Sequence, residues 1–124
     1  MYTKILVGTD GSKTAAKAVD RAVDVALAAG APLTIISAGR PDKAQAVVDA
    51  EAARVSSRGA DVRTAVVDDD PVAGLVETAR SGGFDLLVMG NRGMTGVTRF
   101  LRLGAVPNKV THQLPCSLLI VKTT

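Results

Sequence analysis

Aromatic residues, cysteine and histidine are scarce in this sequence of 124 residues, and each scarcity narrows the range of functions. The chain has no tryptophan, one tyrosine and two phenylalanines, so it lacks the aromatic platforms on which proteins stack nucleic acid bases. A single cysteine, Cys116, excludes an intrachain disulfide and suits a reducing compartment. With one histidine besides, the ligand count is too low for a zinc site. We therefore expect a cytoplasmic protein that does not bind nucleic acid.

Charge and hydrophobicity are spread along the chain without blocks. The formal net charge is +3, and the scattered lysines and arginines are typical of an ordinary solvated surface. Apolar stretches end well short of a membrane span, so no membrane contact is expected. Hydrophobic residues make up 47% of the chain and few are aromatic, so Val, Leu, Ile and Ala must form the core. This composition is typical of a buried parallel sheet covered by alanine-rich helices.

Strand and helix patterns alternate from one end of the chain to the other. Apolar, largely β-branched runs predict strands at residues 5–7, 33–38, 62–67, 86–89 and 117–121. Helical spacing of apolar residues predicts helices at residues 15–29, 42–57, 71–80 and 105–113. This order predicts one α/β domain, residues 1–124, with a doubly wound five-stranded parallel sheet and helices on both faces. Ligands of such sheets bind beyond the carboxyl ends of the strands, where the strand order reverses.

A glycine-rich segment after the fourth predicted strand is the most informative indication of a ligand site. Gly90-Asn91-Arg92-Gly93 follows that strand, and Gly104-Ala105-Val106-Pro107 opens the last predicted helix. Glycine lets backbone N–H groups close around phosphate oxygens, and a helix N-terminus favours negative charge. The segment predicts a nucleotide or phosphate site rather than a catalytic centre. Arg92, Arg99 and Arg102 either pair with phosphates or are solvated.

Asp10, which follows the first predicted strand, has two interpretations. Its carboxylate accepts hydrogen bonds from a ribose hydroxyl or an adenine amino group, or it caps the helix that begins near Ser12 or Lys13. One carboxylate can do both. The glycines around it do not have the spacing of a P-loop. The acidic run Asp68-Asp69-Asp70 invites comparison with phospho-receiver domains, but their chemistry needs an acidic pair after the first strand, where only Asp10 is available.

Three segments taken together make the chain resemble the universal stress protein family over nearly its whole length. They are Lys4-Ile5-Leu6-Val7-Gly8-Thr9-Asp10-Gly11-Ser12, Asp85-Leu86-Leu87-Val88-Met89-Gly90-Asn91-Arg92-Gly93, and Val106-Pro107-Asn108-Lys109-Val110 with Pro115-Cys116-Ser117-Leu118-Leu119-Ile120-Val121. The resemblance implies strand order 3-2-1-4-5 and a homodimer formed through the edge of the last strand. In the nucleotide-binding branch it also implies ATP or another adenine nucleotide, with Mg²⁺ only alongside ATP.

The resemblance further implies which residues bind the nucleotide. Gly8, Thr9 and Asp10 would line the adenosine side, and Ala38 would contact the base through its backbone. The residues around ribose and phosphates would be Met89, Gly90, Gly93, Gly104, Ala105 and Val106. Because the sequence supplies no evident general base or metal cage, we expect no enzyme, or at most a very slow ATPase.

The chain departs from the family pattern in the phosphate segment. Ten residues separate Gly93 from Gly104 where the family has nine, and Ala105 replaces a serine or threonine. A hydrogen bond to a charged group contributes about 1.5–3 kcal/mol, so the missing hydroxyl weakens binding. The connection Gly39-Arg40-Pro41 is also shorter than in many members. Two functions therefore stay open: a stress-response protein that signals through occupancy by an adenine nucleotide, and a stress-response dimer or interaction module that no longer binds one.

Overall fold

The five predicted strands form one parallel sheet in the computed structural model, which describes residues 1–91 and 114–123. Their order, β3-β2-β1-β4-β5, confirms the order that the family resemblance implies. The elements are β1 (Ile5–Gly8), α1 (Lys13–Ala29), β2 (Leu33–Ala38), α2 (Pro41–Val55), a 3₁₀ turn (Ser56–Arg58), β3 (Val62–Val67), α3 (Pro71–Ser81), β4 (Leu86–Gly90) and β5 (Ser117–Val121). The helix predicted at residues 105–113 lies outside the described residues.

The ends of the helices follow from local capping. The Ser12 hydroxyl accepts the backbone N–H of Ala15 at 3.1 Å, so α1 begins at Lys13 rather than at residue 15. Gly30 ends this helix in the left-handed region, with φ +66°, which glycine adopts without steric cost. Helix α2 ends earlier than predicted, at Val55, because the chain tightens there into the 3₁₀ turn.

The strand order reverses between β1 and β4. Strand β1 lies at the centre of the sheet, and Val7 is opposite both Ile35 of β2 and Val88 of β4. From β1 the chain proceeds to β2 and then to β3 at one edge. It then crosses to β4 and β5 on the other side of β1. The carboxyl ends of β1 and β4 therefore flank the position where doubly wound sheets bind ligands.

The core has two layers because alternate residues of each strand point to opposite faces. Ile5 and Val7 of β1 pack in one cluster with apolar residues of α1 and α2, including Val23 and Val48. Leu6 packs in a second cluster, with Leu75 of α3 and neighbouring strand residues. The helices therefore cover both faces of the sheet, as predicted. Within residues 1–91 and 114–123, none of the helices has the length and apolar character that crossing a membrane requires.

Candidate functional site

The ends of β1 and β4 bring three of the predicted site residues together. Val7 and Val88 are register partners, and Gly8 and Met89 follow them directly on adjacent strands. Met89 is fully buried, and Gly90 pairs with Val121 of β5. Gly8 and Gly90 are also buried, so their contribution to a ligand site would come from the backbone. These residues therefore lie at the carboxyl ends of the strands where the order reverses, the place where doubly wound sheets bind ligands.

Thr9 fixes the turn that leaves β1. Its backbone N–H donates to the Ile36 carbonyl at 3.0 Å, which continues the pairing with β2 beyond the last residue of β1. Its hydroxyl oxygen accepts the backbone N–H of Gly11 at 3.1 Å. Thr9 is 1% exposed. The side chain therefore stabilises the turn through its hydroxyl. The ligand contact expected of Thr9 would have to come from its backbone.

Asp10 is not the N-cap of α1, although it contributes to the same turn. Its Oδ1 accepts the backbone N–H of Ser12 at 2.9 Å, while the Ser12 hydroxyl caps the helix itself. No hydrogen bond from the described residues reaches Asp10 Oδ2. Asp10 is half-buried where the chain leaves β1. The interpretation of Asp10 as the helix cap is therefore wrong, because Ser12 caps α1, and its role as a ligand acceptor through Oδ2 stays a prediction.

Ala38 lies at the carboxyl end of β2, beside β3. It pairs with Val67, whose carbonyl also accepts the backbone N–H of Gly39 at 3.0 Å. Helix α2 begins at Pro41, so only Gly39 and Arg40 connect it to the strand. The short connection predicted from the sequence is therefore present. Ala38 is half-buried at the carboxyl end of β2.

The remaining predicted site residues lie outside the described residues. These are Gly93, Gly104, Ala105 and Val106 with the arginines Arg92, Arg99 and Arg102. The phosphate half of the site therefore stays a prediction from the sequence.

The acidic run at the end of β3 caps a helix. Oδ2 of Asp70 accepts the backbone N–H groups of Val72 and Ala73, both at 3.2 Å, at the start of α3. Oδ1 of Asp69 accepts the backbone N–H of Asp70 at 2.7 Å. In the part of the chain that the structure describes, no group of three or more His, Cys, Asp or Glu residues is placed to hold a metal ion. The comparison with phospho-receiver domains finds no support here.

Two groups with shifted pKa values lie at the amino ends of the strands, opposite to the candidate site. Asp85 precedes β4, and hydrogen bonds from the backbone N–H groups of Lys4 and Thr3 lower the pKa of its carboxyl. Cys116 precedes β5, where burial raises the pKa of its thiol. Both groups lie near the amino ends of strands, away from the crevice, so their shifts reflect structural contacts rather than the chemistry of the candidate site.

Sequence reasoning missed the role of Asn91 and Thr123. The sequence places Asn91 within the glycine segment, but its side chain binds the chain after β5: Oδ1 accepts both the N–H and the hydroxyl of Thr123, each at 2.9 Å. Thr123 is 2% exposed. The sequence offers only one signal for this pairing: the asparagine directly follows one strand, and the threonine lies two residues beyond the end of another strand.

Comparison with known proteins agrees with this geometry. Residues 1–122 match the family model described as the universal stress protein family. Universal stress protein Rv1636 of Mycobacterium tuberculosis is 33% identical, over 99% of this chain and 98% of its own length. Universal stress protein YxiE of Bacillus subtilis is 28% identical, over 98% of this chain and 100% of its own length.

Solved structures show the same architecture. A universal stress protein solved in complex with cAMP is 39% identical, covers 99% of this chain and 98% of its own, and superposes with a TM-score of 0.81. The solved structure of Rv1636 is 38% identical in the structural comparison, covers 99% and 97% of the two chains, and has a TM-score of 0.67. With its sheet order, its crevice and a match over almost its full length, the chain belongs to the universal stress protein family.

Proposed function

We propose that this chain binds an adenine nucleotide in the crevice between β1 and β4 and that occupancy of the crevice is its signal. The observation that carries the proposal is the similarity to the universal stress protein solved with cAMP, which is 39% identical over 99% of the chain. Similarity at this level over the whole sheet supports transfer of the ligand class. A signal by occupancy needs only that the nucleotide binds one conformation better than another.

The free oxygen of Asp10 supports the nucleoside end of this proposal. Oδ1 is engaged by Ser12, which fixes the orientation of the carboxylate, and Oδ2 receives no hydrogen bond from the described residues. An oriented carboxylate at the crevice can accept a ribose hydroxyl or an adenine amino group. Gly8, which is buried, and Ala38, which is half-buried, end the neighbouring strands β1 and β2. Contacts to a flat base would therefore come from the backbone at these strand ends.

The departures in the phosphate segment favour a nucleotide with few charges. Ala105 lacks the hydroxyl of the family pattern, and the spacing before Gly104 is one residue longer. Cyclic AMP carries one negative charge and therefore needs fewer hydrogen bonds from this segment than ATP does. We expect cyclic AMP to bind most tightly, with ATP and other adenine nucleotides weaker, and Mg²⁺ to matter only with ATP.

An interaction module without nucleotide is the second candidate, and the same departures favour it. In either case we expect a cytoplasmic homodimer that joins through the edge of β5, where Leu118, Leu119 and Ile120 are half-buried. We expect no catalysis beyond very slow ATP hydrolysis. Metal-dependent phosphate release from ATP that disappears in Gly93→Val would identify that slow hydrolysis, and rapid turnover would contradict the expectation.

Isothermal titration of nucleotide-free protein with cyclic AMP, AMP, ADP and ATP tests the proposal. We expect binding in the micromolar range for at least one of them. Asp10→Asn keeps an oxygen for the Ser12 N–H but replaces the free acceptor, so it should weaken binding about tenfold or more without a loss of stability. Asp61→Asn is the matched control and should bind nucleotide normally, because Asp61 is an exposed acid at the amino end of β3.

The opposite outcomes are equally clear. No heat and no thermal shift up to millimolar nucleotide would reject nucleotide binding and leave the interaction module. Binding that is unchanged in Asp10→Asn would retain the ligand class but reject this crevice as its site.

A further inference from the structure

Three hydrogen bonds join Asn91, directly after β4, to the end of β5 and the residues that follow it. The backbone N–H of Asn91 donates to the Val121 carbonyl at 3.0 Å, and its Oδ1 accepts two hydrogen bonds from Thr123. Thr123 is 2% exposed, so water does not replace Asn91 as its partner. Removal of the Asn91 side chain would leave two buried donors unsatisfied. The pairing is therefore a fixed structural link, which we call the Asn91–Thr123 link.

Lys17 extends this link to the first helix. Its Nζ donates to the Thr123 carbonyl at 3.0 Å, so Thr123 uses its backbone N–H, its hydroxyl and its carbonyl in bonds to two other elements. Lys17 belongs to the second turn of α1, and the Asp10–Ser12 turn leads into that helix. The end of β4 and the second turn of α1, the helix that follows β1, are thus tied to the same residue after β5.

We infer that Asn91 and Thr123 are positioning residues for the nucleotide site. Their link fixes the backbone at Gly90 and Asn91, where the chain leaves β4 toward the glycine segment. The oxygen of the Asn91 side chain is engaged by Thr123, so Asn91 acts on the ligand through the backbone rather than through Oδ1. The inference rests on the proposed function. It makes nucleotide affinity depend on Thr123, which lies outside every motif identified in the sequence.

Substitutions at Thr123 and Asn91 test the inference through nucleotide affinity. Thr123→Val removes the hydroxyl with little change in shape and should weaken binding of cyclic AMP about fivefold to tenfold. Thr123→Ser restores the hydroxyl and should restore affinity. Asn91→Ala removes the acceptor of both bonds and should weaken binding further. The double variant should bind no worse than Asn91→Ala, because the hydroxyl then has no partner left to lose.

Thr3→Val is the matched control. The Thr3 hydroxyl also donates to a side-chain oxygen, Oδ2 of Asp85, at 2.9 Å. This bond lies at the amino ends of β1 and β4, away from the candidate site. Both valine variants should lower the thermal midpoint, and only Thr123→Val should lower affinity. Equal affinities of the wild type, Thr123→Val and Asn91→Ala would overturn the inference, as would equal weakening by Thr3→Val. A wild-type chain that binds none of the nucleotides would instead overturn the proposed function, and the positioning role with it.

Discussion

The Leu75 side chain fills the space beside Gly8 into which a larger residue would place its Cβ. A Cβ built on Gly8 would lie 3.0 Å from Cδ2 and 3.1 Å from Cδ1 of Leu75. Leu75 is 1% exposed and packs with Leu6 and Leu87 of the sheet. The glycine at the end of β1 therefore has a packing reason as well as its proposed place in the crevice: it lets α3 approach the strand.

Gly8→Ala should consequently destabilise the fold through crowding. We expect a loss of about 1–3 kcal/mol in the free energy of unfolding, which is typical of overpacking. Leu75→Val removes part of the crowding side chain, so the double variant should lose less than the sum of the single losses. Urea denaturation of the four proteins measures this coupling.

Gly83→Ala provides the control for that cycle. Gly83 has φ +69° and open space where its Cβ would be, so alanine there suffers backbone strain without crowding, at about 1–2 kcal/mol. Leu75→Val should not relieve that loss. The losses from Gly83→Ala and Leu75→Val should simply add. If the losses from Gly8→Ala and Leu75→Val also add, crowding by Leu75 is not the reason for the glycine at position 8.

Arg54 joins α2 to α1 through a partly buried cluster of charges. Its Nε and Nη2 donate to the two carboxylate oxygens of Glu51 at 2.8 and 3.1 Å, and its Nη1 donates to Asp20 at 2.8 Å. Glu51 is 8% exposed. The hydrogen bond to Glu51 is the main reason that the pKa of Arg54 is raised, so the guanidinium stays charged throughout the practical pH range.

Arg54→Met should therefore cost more than the loss of an exposed ion pair. It leaves the Glu51 carboxylate buried without its partner, and we expect a loss of about 1–3 kcal/mol, less than for a fully buried pair because the arginine is partly exposed. The double variant Arg54→Met with Glu51→Met should recover most of the loss, since no charge is then left unpaired. Chemical denaturation decides, and a double variant as unstable as Arg54→Met would show that packing of the arginine stem is what matters.

Asp85 gives the protein a stabilising contribution that depends on pH. The backbone N–H of Lys4, then that of Thr3, lowers the pKa of the Asp85 carboxyl below its ordinary value. A carboxyl whose pKa is lower in the folded state stabilises the fold above its unfolded pKa, and this contribution disappears as the pH falls through the folded pKa. Asp85→Ala should thus be less stable than the wild type at neutral pH, and the difference should shrink in acid.

Urea midpoints of the wild type and Asp85→Ala, measured from pH 7 down to pH 3, test this expectation. Asp61→Ala serves as the comparison, because the Asp61 carboxylate pairs with the exposed Arg63 at 3.1 Å and its backbone bond to Leu33 survives the substitution. A difference between the wild type and Asp85→Ala that stays constant with pH would show that the contacts of Asp85 do not depend on its charge.

Most of the fold could be predicted because the patterns that set it are local. Strands β2, β3 and β5 have the predicted bounds, since alternating strand and helix patterns with short connections permit few other assignments. Strands β1 and β4 each extend one residue further than predicted. The larger errors occur at helix ends, where capping decides: Ser12 extends α1 toward its N-terminus, and the tightened turn after Val55 shortens α2. The strand order came from the family resemblance rather than from any local pattern.

The candidate site was predictable only in part, because side-chain partners depend on the sheet register. Asp10 could be placed at the crevice, but the division of its two oxygens between Ser12 and a ligand follows from three-dimensional geometry. The Asn91–Thr123 link joins residues 32 positions apart in the sequence, and neither has a motif that indicates the other. Only the pairing of Gly90 with Val121 brings them together.

The Ala105 departure makes a prediction in the direction of improved function. Ala105→Ser restores the hydroxyl of the family pattern, and a hydrogen bond to a phosphate oxygen should strengthen binding of AMP and ATP about tenfold. Ala105→Thr should act similarly, while Ala105→Val, which has the bulk of threonine without its hydroxyl, should not strengthen binding. Titration calorimetry on the four proteins measures the effect.

The spacing before Gly104 is tested by removal of one residue from positions 94–103, alone and together with Ala105→Ser. If spacing is what limits affinity, the deletion should strengthen binding in the alanine background, and the serine should add to it only after the deletion. If the serine acts equally with and without the deletion, the longer segment already lets the chain reach the phosphate, and the missing hydroxyl alone accounts for the weakness. Should neither change strengthen binding, the two departures do not limit nucleotide affinity in this chain.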